Sequence, residues 1–362
     1  MPFRTRHRQG PERPEPRYRG RVARVGGAVS LSNEWRAWVA ENLLRGIARQ
    51  DLVSTLSESG VPKAVATREI ERIRRSPLLR GANRIARLVR RHALVSRLKR
   101  ELATLGREPK KVERRRGLSR DEFFDRYYAG NTPVVVTDAL ERWPALSRWS
   151  PSYFKERFGD VEVEVTSGRD GDPMPDVHFK AHSATTRLAD FCDRVTTAGS
   201  SNDIYLIANN HATKRAALAP LFEDIRADHE YLDDQRNGNC ISMWFGPAGT
   251  VTPLHHDTAN VFLCQVLGRK KVLLFPPFEL SLMHEMHHGV YSPIDAEHPD
   301  LDTFPELEEI AVKEVVLSPG EALFIPVSWW HHVRSLEVSI SLAFTNFRAK
   351  NRFEWYYPGM ID

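Results

Sequence analysis

The segment Thr252-Pro-Leu-His255-His256-Asp257 sets two imidazoles and a carboxylate side by side. Side chains alternate faces along an extended strand, so His255 and Asp257 would share one face while His256 points away. A second doublet, His331-His332, follows Trp329-Trp330 far downstream, just after the turn-and-strand run Ser318-Pro-Gly-Glu-Ala-Leu-Phe-Ile-Pro326. Two imidazoles and one carboxylate occupy one face of an octahedral metal and leave the opposite positions open, the arrangement that suits Fe(II) for oxygen chemistry. Zinc or another metal can fill the same set. An H-x-D pair alone recurs by chance and also serves as an ordinary structural strand pair, so its surroundings decide. Here Gly268-Arg269 reads as a hairpin turn between two apolar runs and sets Lys270 at the start of the returning strand.

These residues need strands to hold them, and the second part of the chain supplies them. Strand-like runs fall at 133–137, 161–165, 204–207, 240–245, 261–266, 271–275, 312–317, 322–325 and 338–344, with turn residues between them, which suggests a barrel or sandwich. Helices flank them: Ser119 and Glu122 form a capping box for 121–128, and Ser150-Pro151 opens a short helix that Gly159 closes. Trp329 and Trp330 read as barrel wall and Cys264 as a core strand residue.

The first 116 residues differ. Residues 1–30 mix Arg, Pro and Gly with few large apolar side chains and read as a disordered basic tail. Residues 31–116 read as a basic α-helical domain and linker. Trp35, Trp38, Val39 and Leu43 have helical spacing behind an Asn33 cap, and helices follow over 51–58, 62–75 and 78–105. The last has an apolar stripe through Leu78, Ile85, Leu88, Val89, Leu98, Leu102 and Leu105, among many arginines. KKVERRRG at 110–117 reads as the linker, and 117–362 as the β domain.

The order T-P-x-H-x-D, Q-x-x-G-x-K, L-F-P-P and P-G-x-x-L-F-I-P-x-x-W-W-H-H resembles the cupin-like JmjC hydroxylases, in particular the asparaginyl hydroxylase of the hypoxia response. Further matches are Asn131-Thr-Pro-Val-Val-Val, Leu140-Glu-Arg-Trp-Pro-Ala-Leu, Ile204-Tyr-Leu and Ser292-Pro-Ile-Asp, so the likeness covers residues 118–348. It implies a mixed fold: an all-β double-stranded β-helix (jelly-roll, cupin) catalytic domain with flanking helices, preceded by a small α-helical domain. It also implies metal ligands at His255, Asp257 and His331. Lys270 would pair with the far carboxylate of the co-substrate 2-oxoglutarate, assisted by the hydroxyls of Thr252 and Tyr205. The implied enzyme is a dioxygenase using Fe(II), 2-oxoglutarate and O2 to hydroxylate a side chain of a protein or peptide. The alternatives are a JmjC-type N-methyl demethylase and a non-catalytic cupin binding module.

The chain departs from that relative in two places. Ser341-Leu-Ala343-Phe-Thr345 stands where the relative has an Asn and a Trp in its last core strand, and Val290-Tyr291 replaces an Arg-Gln pair in the loop 283–295. With the last strand close to residue 362, the comparison also leads to the expectation that the relative's dimerising C-terminal helices have no counterpart here. His284, His287 and His288 read as surface or substrate-channel residues.

Composition limits the partners. Residues 1–116 carry 30 Lys and Arg against 11 Asp and Glu, and residues 117–362 carry 22 against 36, a split of +19 and −14. Such a basic module suits an acidic protein or peptide, docked by the N-terminal helical domain. Nucleic acid is open on charge alone, with no zinc finger or aromatic RNA-reading motif to support it. No apolar run approaches the roughly 18 residues of a membrane span. Three cysteines without a C-x-x-C pair fit a reducing, cytoplasmic setting.

Overall fold

A computed structural model describes residues 23–25, 28–105, 111–226, 230–233, 240–279 and 290–353. The chain divides into two compact units, residues 1–99 and 100–362.

In the first unit, β1 (Ala23–Val25) and β2 (Ala28–Ser30) form a small antiparallel pair, so the expected disorder over 1–30 does not hold there. Residues 1–22 lie outside the described residues. Helices α1 (Asn33–Arg45), α2 (Arg49–Glu58) and α3 (Lys63–Arg75) follow. The cap of α1 is Ser32 rather than Asn33: the Ser32 hydroxyl accepts from the Trp35 amide, and Asn33 is already helical. Trp35, Trp38, Val39, Leu52, Leu56, Ala66 and Ile70 close the core. The long helix α4 (Pro77–Leu105) adds nothing to that core, and Leu78, Ile85, Leu88 and Val89 on it are exposed.

The second unit is built on eight strands divided between two facing sheets. Strands β8 (Ile241–Gly246), β10 (Val261–Leu267), β13 (Ala322–Ile325) and β15 (Ser339–Phe344) form one wall, in the order β13-β10-β15-β8. Strands β9 (Val251–His255), β11 (Lys270–Phe275), β12 (Lys313–Leu317) and β14 (Trp330–Ser335) form the other, in the order β12-β11-β14-β9. This is the expected double-stranded β-helix. Residues alternate accordingly. On β10, Leu263 faces the opposite sheet, whereas Phe262 and Cys264 face a helical layer with Phe123, Phe154 and Phe191.

Two expectations give way here. Gly268-Arg269 does not turn a hairpin, because β10 and β11 lie in different sheets; it is a corner at which the chain crosses between walls. Gly268 has φ +66°, and an added Cβ would collide with the Val338 carbonyl. The linker 110–117 contains β3 (Glu113–Arg115), which pairs in parallel with β4 (Val134–Val136) and extends the first wall. Arg115 is held there by Glu122 and the Tyr127 hydroxyl. A third sheet, from β5 (Glu162–Ser167), β6 (Ser183–Arg187) and β7 (Ile204–Tyr205), continues through a Leu206–Phe245 bridge onto β8. No helix among the described residues is long and apolar enough to cross a membrane.

Candidate metal centre

β9 and β14 pair so that His255 stands directly opposite His331. Two residues farther along β14, Val333 opposes Thr252, three residues from His255, so β9 carries a bulge at Pro253-Leu254. The bulge matters because strict alternation would put Thr252 and His255 on opposite faces. With it, both line the same cavity while Leu254 packs outward. Proline at 253 is tolerated there, where a ladder donor is not required.

The imidazoles of His255 and His331 lie 4.1 Å apart between ring centroids. Nδ1 of His255 donates to the Pro253 carbonyl at 2.8 Å, and Nδ1 of His331 donates to the Trp329 carbonyl at 3.0 Å. A carbonyl can only accept, so each ring carries its proton on Nδ1 and presents the Nε2 lone pair. Asp257 follows the end of β9, with Oδ2 3.6 Å from His331 Nε2. One ligand atom from each of His255, Asp257 and His331 lies within 4.8 Å of the others, and among the described residues no other trio of this kind forms. Burial, together with the adjacent His255, pushes the His331 imidazole down to about 3, so it stays neutral and able to coordinate at ordinary pH.

Neither second histidine belongs to this trio, but His256 does not point away as expected, because it lines the same cavity. His256 lies against the Trp330 ring at 4.7 Å, and His332 faces Glu297 on the outer side of β14. Trp329 belongs to the core between the sheets and donates to Asn131, as expected of wall. His284, His287 and His288 lie outside the described residues. Tyr291 forms a bridge with His255 and stacks on its ring at 5.3 Å.

The cavity holds about 310 Å³. Lys270 reaches into it from the start of β11 although only 1% exposed, and donates to the Tyr205 hydroxyl at 3.1 Å. No carboxylate among the described residues lies within 4.0 Å of that ammonium. Tyr205 meets the site through Lys270 rather than as a cavity-lining side chain, whereas Thr252 lines it directly. The Tyr205 oxygen accepts from an ammonium, which has no acceptor of its own, so the phenol proton is left to donate elsewhere. Asp176 and Asn209 also line the cavity; neither carries a spacing signal in the sequence.

Fold and centre together define a jelly-roll protein with a two-histidine, one-carboxylate site in its cavity. A cupin-like domain family matches residues 120–352, and the chain belongs to it. Lysine-specific demethylase 8 of Xenopus tropicalis is 32% identical over 243 residues, 62% of this chain and 50% of the relative. Lysine-specific demethylase JMJ30 of Arabidopsis thaliana is 36% identical over 251 residues, 65% of this chain and 54% of the relative. The human bifunctional peptidase and (3S)-lysyl hydroxylase JMJD7 is 24% identical over 250 residues, 61% of this chain and 79% of the relative. The chain spans about half the length of the first two.

Proposed function

We propose that the protein is an Fe(II)- and 2-oxoglutarate-dependent dioxygenase that hydroxylates a side chain of a protein or peptide. The carrying observation is one cavity that joins two imidazoles and a carboxylate to a buried ammonium without a carboxylate partner among the described residues. The donor set fits iron, and Lys270 fits the far carboxylate of a dicarboxylic co-substrate. Such a centre couples oxidative decarboxylation of 2-oxoglutarate to hydroxylation of a C–H bond.

His255, His331 and Asp257 would hold the metal, the two carbonyl contacts fixing both rings. Lys270, held by the Tyr205 hydroxyl, would grip the co-substrate, with Thr252 adding a hydroxyl from β9. Leu263, Ile325, Val333 and Ala343 make part of the cavity apolar and limit water around the reacting groups. The basic charge of residues 1–116 supports docking of an acidic polypeptide, and three unpaired cysteines support a cytoplasmic setting.

The test adds Fe(II) and then 2-oxoglutarate to the protein without oxygen and looks for a visible metal-to-keto-acid absorption band, with Asp257→Ala as control. A band in the wild type alone is expected. Bound metal without a band would leave a binding module. The names of the two demethylase relatives favour a second reading, N-methyl demethylation at the same centre, which release of formaldehyde from a methylated peptide would distinguish.

A further inference from the structure

Arg169 lies outside the cavity lining and is the largest fully buried side chain among the described residues. A buried guanidinium is costly unless its donors are used and its charge is met. Here Nη1 donates to Asp176 Oδ1 at 2.8 Å and Thr166 Oγ1 at 3.0 Å, Nε to the Asn202 carbonyl at 3.1 Å, and Nη2 to the Val251 carbonyl at 3.0 Å. The charge is met by Asp176, itself 5% exposed and part of the cavity wall.

These contacts converge on the groups assigned to the co-substrate. The Arg169 guanidinium carbon lies 5.4 Å from the Tyr205 ring centroid, and Thr166, which accepts from Arg169, passes its own proton to the Tyr205 carbonyl at 2.8 Å. Val251 is held on both sides, its carbonyl by Arg169 and its amide by Asn202 Oδ1 at 2.9 Å, and it immediately precedes Thr252. One side chain thus ties β5, the Asp176 turn and β9 to the two hydroxyl residues that accompany Lys270. A well-packed apolar group would fill the volume at lower desolvation cost, but would fix neither Tyr205 nor the edge of β9.

We infer that the Arg169–Asp176 ion pair is a positioning device for the 2-oxoglutarate pocket, setting co-substrate affinity through Tyr205 and Thr252 without touching the metal ligands. The inference rests on the proposed function. It assigns no chemistry to Arg169 itself; the effect runs through preorganisation of the donors around the far carboxylate.

The test measures binding of 2-oxoglutarate to Mn(II)-loaded protein by calorimetry, where no turnover occurs, alongside Mn(II) affinity and thermal midpoint. Arg169→Met should weaken 2-oxoglutarate binding roughly 10-fold or more, the scale of outer-shell changes, while Mn(II) affinity stays as in the wild type. Arg169→Lys keeps the charge but loses the fork and should recover only part of the affinity. If the single variant fails to fold, Arg169→Met with Asp176→Leu removes both charges, and should fold yet bind 2-oxoglutarate as weakly. A folded variant with wild-type 2-oxoglutarate affinity overturns the inference and leaves the proposed function standing. Equal loss of Mn(II) and 2-oxoglutarate binding also overturns it, because the role would then be general to the fold. Wild-type protein that binds Mn(II) but no 2-oxoglutarate removes the proposed function and this inference with it.

Discussion

His255 and His331 face each other across β9 and β14, each with Nδ1 tied to the carbonyl two residues before it in the chain. The symmetry fixes both tautomers before any metal arrives. Replacing His255, Asp257 or His331 by Ala should lower metal affinity by more than the roughly 10–100-fold typical of outer-shell changes. His256→Ala and His332→Ala should leave the metal bound. Metal content after dialysis checks all five, and equal loss throughout would break the assignment.

Lys270 has no carboxylate partner among the described residues, so its removal should show in ligand binding more than in metal binding. A charge-assisted contact is worth about 1.5–3 kcal/mol, so Lys270→Ala should weaken 2-oxoglutarate roughly 10- to 100-fold. Titration of the Mn(II)-loaded variant measures this. Unchanged affinity would take Lys270 out of the pocket.

Glu297 gathers two cations on the outer face of the metal-bearing sheet, Lys271 at 2.6 Å and Arg334, with the His332 ring 3.5 Å away. Burial pushes its carboxyl up, but the Arg334 and Lys271 hydrogen bonds outweigh that and hold it near 2 against an ordinary 4.5. A carboxyl with a lowered folded pKa stabilises the protein above its unfolded pKa, and that contribution is lost as pH falls from 4.5 towards 2. Glu297→Gln should therefore cost about 1–3 kcal/mol at neutral pH and flatten the acid limb of stability. Denaturant melts at several pH values read both effects; a parallel acid limb in the variant would contradict this account.

What could be read in the sequence was local. The family resemblance singles out His331 from His332, which faces Glu297, whereas alternation along a strand separates His255 from His256 only in part, because both line the cavity although the metal trio takes His255 alone. The element boundaries of 322–325 and 338–344 also stand to within a residue, because short apolar runs end at turn residues. What could not be read depends on distant partners. Gly268-Arg269 has the same local chemistry whether it turns a hairpin or crosses between sheets. Glu113–Arg115 looks like a solvated linker until β4 pairs with it, and the bulge at Pro253-Leu254 exists only against β14. Arg169 sits in a polar stretch, Ser167-Gly-Arg-Asp-Gly-Asp172, that by composition belongs on the surface. Its burial comes from Asp176, Asn202 and Val251, none of which is its neighbour in sequence.

Gly246 ends β8 directly beneath the Tyr205 ring. A Cβ added there would stand 2.7 Å from Tyr205 Cδ2 and 2.9 Å from Thr250 Cγ2, closer than carbon atoms approach without something moving. Thr250 is buried and hydrogen-bonded to Ser335 at 2.7 Å, so the adjustment falls largely on the tyrosine. Overpacking of this kind costs about 1–3 kcal/mol, so Gly246→Ala should lower the thermal midpoint. It should also displace the Tyr205 hydroxyl from Lys270 and weaken 2-oxoglutarate binding, with metal affinity unchanged, because His255 and His331 belong to the opposite sheet. Adding Tyr205→Leu to Gly246→Ala relieves the clash. It should recover stability relative to Gly246→Ala alone and leave 2-oxoglutarate binding weak, since the phenol is gone. Recovery of both would mean that Tyr205 acts on the pocket only through packing, and the hydrogen bond to Lys270 would lose its assigned role.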